Sequence, residues 1–168
     1  MNVADLLVDG FGRIQGVVHQ AVDGLTGQQL TARLGPDANS IAWLVWHLAR
    51  VQDDHVAEVA GTEQVWTGQD WHRRFGLPFP PADIGYGHRS SDVAEVRVDS
   101  PGLLTGYYDA VHEHTVGWLS RLDGSALDRV VDEQWDPPVT LGVRLLSVLS
   151  DDLQHAGQAA FARGVLLG

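Results

Sequence analysis

The strongest constraint on the fold is the recurrence of apolar side chains at helical spacing in four separate blocks of the chain. In Val3–Val22 the set is Val3, Leu6, Leu7, Phe11, Ile14, Val17, Val18 and Ala21, with Asp5, Asp9, Arg13 and Gln20 opposite. A period near 3.6 residues gathers such a set on one face, which must be buried against another element. Gly10, Gly12 and Gly16 weaken this block, each by up to about 1 kcal/mol relative to alanine. The second block follows Ser40, a good N-cap, and runs to Ala60, where Gly61 ends it. Its stripe is Ile41, Leu44, Val45, Leu48, Val51, Val56 and Val59. Pro101 suits the first turn of the third block, Pro101–Leu122, whose inward face includes Leu104, Tyr107, Tyr108, Val111 and Trp118. Pro137 and Pro138 break the chain before the fourth, which opens at Val139 or Thr140, spans Leu141–Arg163 and is expected to stop at Gly164. Four such helices specify an all-α protein, a four-helix bundle.

The connections are unequal. Leu25–Asn39 reads as irregular, broken by Gly27, Gly35 and Pro36, and Ala126–Asp136 as a short extended piece. Thr62–Ser100 is too long for a simple loop, and long irregular segments in compact domains are often functional. It is rich in aromatics and carries Arg73, Arg74 and Arg89. Two readings stand: a wrap over one end of the bundle, or a lid whose aromatics and arginines hold a polar substrate. No repeat or linker divides the chain, so a single domain over residues 1–168 is expected.

A net charge of −11 and the absence of lysine argue against a nucleic-acid partner and against docking to an anionic membrane, both of which need a basic face. With no cysteine the chain has no disulfide, no thiolate of its own and no Cys-ligated zinc. Thiol chemistry here must use a thiol from outside. No apolar run approaches the roughly 18 residues of a membrane span. Met1–Asp9 carries acids where a signal peptide has basic residues, so a cytoplasmic location is expected.

The candidate site lies in Asp151-Asp152-Leu153-Gln154-His155-Ala156-Gly157-Gln158. A carboxylate four residues before a histidine shares its helix face, one turn away. Leu145, Val148, Leu149 and Ala156 flank this pair, so it points partly into an apolar seam, where charge is costly unless paired or bound to a metal. The partner is His47 on the second helix, between Trp43 and Trp46. Bundles build metal sites from facing helices. Two imidazoles and one carboxylate suit zinc, nickel, iron(II) or manganese and leave coordination positions open, as catalytic sites do. Asp152, three residues before His155, reaches the same region on spacing alone, so the carboxylate is Asp151 or Asp152. Asp54, two turns beyond His47, is a candidate supporting group. A hydrogen-bonded His–Asp pair inside a bundle is the reading without a metal.

These residues resemble the DinB-like superfamily, and more closely its mycothiol-dependent branch of S-transferases and the N-terminal domain of maleylpyruvate isomerase. The resemblance rests on Asn39-Ser40-Ile41-Ala42-Trp43-Leu44-Val45-Trp46-His47-Leu48-Ala49-Arg50, Gly85-Tyr86-Gly87-His88, Trp135-Asp136-Pro137-Pro138-Val139-Thr140 and the Asp151–Gln158 stretch, and covers nearly the whole chain. The family pattern, a histidine on the second helix and His-x-x-x-His-x-Gly-Gln on the last, selects His47, Asp151 and His155. Aspartate replaces the first histidine of the pair here; the isomerase branch likewise carries a carboxylate, normally glutamate. Aspartate is one methylene shorter, which draws an ion toward the last helix. The resemblance implies a divalent metal, zinc first, with mycothiol as co-substrate of a thiol S-transferase in detoxification. It implies a small-molecule thiol and an electrophile as partners and admits a homodimer. Trp46 and the aromatic connection would exclude water, Gln158 would support the site, and Arg73, Arg74 or Arg89 would hold a substrate carboxylate. The alternatives are a metal-dependent hydrolase or isomerase on the same site, and a non-catalytic small-molecule-binding bundle.

Overall fold

Side-chain caps set where the long helices begin. Asn2 and Asp5 bond each other's backbone N–H, both at 2.9 Å, at the start of α1 (Val3–Val22). Thr26 and Gln29 form the same reciprocal box at the start of the short α2 (Gly27–Thr31). Ser40 accepts the Trp43 N–H to open α3 (Ile41–Ala60), and Gly61, left-handed at φ 68°, closes it. Three short helices follow: α4 (Val65–Gly68), α5 (Trp71–Phe75) and α6 (Ser90–Glu95). Proline opens α7 (Pro101–Leu119). A 3₁₀ turn, Gly124–Asp128, leads into β1 (Val130–Asp132), antiparallel to β2 (Val139–Thr140), and Thr140 caps α8 (Leu141–Leu167). This computed structural model describes all residues, Met1–Gly168.

The long helices form the expected all-α bundle. Each of α1 and α3 packs against both α7 and α8, and the most extensive pairing is α3 with α8. Phe11, Ile14 and Val18, Leu44 and Leu48, Leu104 and Val111, and Leu145, Val148 and Ala159 fill the centre. Every residue from Ile41 to Asp53 is buried. A helix hydrophobic on one stripe does not achieve that alone; the chain after α5 crosses its outer side. No helix is long and apolar enough to cross a membrane.

Four local expectations need correction. The Leu25–Asn39 connection contains α2, because Thr26-x-x-Gln29 is a capping box. Thr62–Ser100 holds three short helices as well as irregular chain. The third long helix ends at Leu119 rather than Leu122, passing into turns. The fourth continues through Gly164 to Leu167, since Gly164 stays helical and Leu166 packs on the core.

Candidate metal centre

The α3–α8 seam brings His47, Asp151 and His155 together, with one donor atom from each within 4.8 Å of the others. Their distance in sequence is closed by the most extensive helix pair of the bundle. The two imidazole rings lie 4.9 Å apart at 72°, and His155 Nε2 is 3.6 Å from Asp151 Oδ1. Trp43 lies flat against His47, with ring centroids 4.5 Å apart, and meets His155 edge-on.

Hydrogen bonds orient both rings. His47 Nδ1–H donates to the Ile84 carbonyl, and His155 Nδ1–H donates to Gln158 Oε1 at 3.0 Å. An oxygen acceptor places a proton on each Nδ1, so Nε2 is the ring nitrogen available to an ion. Burial pushes the His47 pKa down, so this ring is neutral at pH 7. Asp151 Oδ2 is buried without a partner. One nitrogen from each imidazole and one Asp151 oxygen thus come within 4.8 Å of one another. That donor set fits a divalent cation, with each ring nitrogen opposite the would-be metal already held by an oxygen.

The Phe79–His88 segment straps His47 in place. Gly85, φ 94°, passes so close that an added Cβ would lie 2.6 Å from His47 Nδ1 and 3.1 Å from Trp46. Only glycine meets both conditions without strain. Asp83 accepts the Gly85 N–H at 2.7 Å and bonds His88 Nε2 at 3.1 Å. Because the indole N–H of Trp43 can only donate, His88 Nδ1 accepts it, and the His88 proton lies on Nε2 toward Asp83. The fully buried Arg50, one turn along α3 from His47, donates to the carbonyls of Pro81 and Asp83, each at 3.2 Å. It also bonds Gln64 and Tyr107 and lies 3.6 Å from the buried Asp53. Burial raises the Asp53 pKa; donors from Val65, Trp66 and Tyr107 and the charge of Arg50 oppose that rise.

Asp152 points into the bundle core, fully buried and without a hydrogen bond, while its neighbour Asp151 joins the cluster. Gln158 supports His155. Asp54 instead accepts from Gln64 at 2.7 Å, away from His47. Trp46 is buried under the strap, stacked on His88 and near Phe79. Arg73 pairs with Asp70, Arg74 covers the Trp71 ring at 4.4 Å, and Arg89 is exposed; none bonds a group of the cluster. Arg50, Asp83, Ile84, Gly85 and His88 were not singled out from the sequence as supports. The available signals were an arginine inside the apolar run Leu48-Ala49-Arg50-Val51 and the Gly-x-Gly of the strap.

A crystal structure described as that of a conserved protein from Enterococcus faecalis superposes with a TM-score of 0.93 at 29% identity, covering 100% of this chain and 99% of that one. A search of curated proteins finds no match. A model of the mycothiol S-transferase family matches residues 7–168. With that match over nearly its whole length, the chain belongs to the mycothiol S-transferase family, the branch its motifs resemble.

Proposed function

We propose that the protein is a divalent-metal-dependent S-transferase that joins the thiol of mycothiol to an electrophilic carbon. The observation that carries this reading is the convergence of donor atoms from His47, Asp151 and His155 within 4.8 Å of one another, in a chain that has no cysteine. A divalent ion held by His47, Asp151 and His155, with zinc the first choice for this donor set, would keep an incoming thiol as thiolate at neutral pH. The protein's own groups do the positioning. The Ile84 carbonyl and Gln158 aim the imidazoles, and the strap and Trp43 close the α3 side against water. Asp151 and His155 remain partly exposed, so reactants approach from the α8 side. In the reaction a carbon–sulfur bond forms, the carbon–leaving-group bond breaks, and the thiol proton goes to solvent.

The test is elemental analysis of protein purified without a metal-affinity tag, followed by turnover of monochlorobimane with mycothiol. About one ion per chain, lost in His47→Ala, with metal-dependent thioether formation, supports the reading. Absence of any ion, or product formed equally without the thiol, overturns it.

A further inference from the structure

A cavity of about 370 Å³ opens directly beside Asp151, between Tyr86, the β1–β2 hairpin and the first turns of α8. Arg144 and Asp132 balance each other, which leaves the Asp151 carboxylate as the one uncompensated charge on its wall. Arg144 donates to Asp132 at 3.0 Å, and its other terminal nitrogen donates to His55 Nδ1 at 2.9 Å. His55 accepts that bond as a neutral ring, its pKa lowered by burial and by Arg144. Much hydrogen-bonding capacity stays unused. A guanidinium has five N–H donors, of which these bonds occupy two. Asp132 also accepts the Gln134 N–H and keeps further lone pairs, and Ser147 Oγ, donating to Val143, is still an acceptor. Trp135 stands on the rim with 66% of its surface exposed.

Donors and acceptors interleaved around the Arg144–Asp132 pair suit hydroxyl groups, which do both. A carboxylate or phosphate would meet the Asp132 oxygens. A flat aromatic beside such groups matches the apolar C–H face of a sugar ring. Mycothiol carries its cysteine on a glucosamine–inositol unit, so its sulfur can reach the cluster only with that unit seated nearby.

We propose that this cavity binds the hydroxyl-rich part of the thiol co-substrate, with Trp135 against a ring face and Arg144, Asp132 and Ser147 on its hydroxyls. The assignment rests on the transferase reading above and adds the residues that select the thiol.

Two measurements test it. The first compares mycothiol with N-acetylcysteine, which has the sulfur and no sugar, in wild type and Trp135→Ala. The ratio of their KM values should collapse roughly tenfold in the variant, the loss of one stacking contact. An equal change for both thiols, or a change only in the KM for monochlorobimane, overturns the assignment. The second is calorimetric titration of metal-free protein with the glucosamine–inositol unit lacking cysteine. Binding to wild type, weakened about tenfold in Trp135→Ala and also reduced in Asp132→Asn, supports the site; no binding to wild type overturns it. If neither thiol turns over while this unit still binds and responds to the variants, the transferase reading fails and the sugar site stands.

Discussion

The two helices that form the candidate metal centre hold their side chains by opposite means. On α3, His47 is 3% exposed, stacked on Trp43, bonded to a strap carbonyl and backed by a glycine too close to carry a side chain. On α8, Asp151 and His155 keep 27% and 18% of their side-chain surface exposed, and one glutamine on the same helix steadies the pair. The comparison teaches that one wall is pre-organised mainly by the strap and the other mainly by helix spacing, with His155 edge-on to Trp43. A site built this way has one fixed donor and one open face, the arrangement that the proposed catalytic role needs.

Breaking the α3 wall outright should have the largest effect. His47→Ala should abolish stoichiometric binding of zinc, well beyond the ~10–100-fold losses typical of supporting groups, measured by equilibrium dialysis. Retained one-to-one binding would mean that α8 holds the ion without α3. Next is the anchor of the strap. Arg50→Leu strands the buried Asp53 and frees the Pro81 and Asp83 carbonyls, and should cost about 3–5 kcal/mol in denaturant unfolding. A loss under about 1 kcal/mol would show that the strap does not depend on it.

Gly85→Ala sharpens the comparison within the strap. The left-handed backbone costs about 1–2 kcal/mol, and the added Cβ displaces His47, so zinc affinity should fall ~10–100-fold along with stability. On the α8 wall, Gln158→Ala should lower zinc affinity about tenfold and change stability by under about 0.5 kcal/mol, because the glutamine lies on the exposed face. Equal stability losses in the two variants would erase the distinction between the walls.

The pH dependence has a definite sign. An imidazole binds a metal only when neutral, so protons compete with the ion as pH falls. The His47 pKa is lowered from 6.5 by burial, so its share of the competition appears only below that value. Zinc affinity, followed by competition with a chromophoric chelator, should therefore decline in acid, by up to about tenfold per pH unit for each proton displaced. Affinity that stays constant throughout the acid range in which the protein remains folded would show that imidazoles do not carry the ion.

Much of the bundle was legible because helical periodicity is local: the bounds of α1 follow from apolar spacing, and those of α3 from apolar spacing with Ser40 and Gly61. The meeting of His47 with the α8 pair was legible for the same reason, once the two stripes were taken to face each other. Spacing did not separate Asp151 from Asp152. Both lie within one turn of His155, and the rotation of α8 against α1 and α3 sends Asp152 into the core. The strap was illegible because its bonds run between Arg50 and carbonyls more than thirty positions on, and backbone acceptors leave no mark in the side-chain pattern. Arg73 and Arg74 attracted attention by charge, yet local partners, Asp70 and Trp71, occupy them.

X-ray absorption at the zinc edge of the loaded protein, before and after addition of mycothiol, addresses the central claim directly. The account predicts a first shell of two imidazole nitrogens and carboxylate oxygen, which gains a sulfur neighbour when the thiol is added. A shell without imidazole, or one that mycothiol leaves free of sulfur, would contradict it.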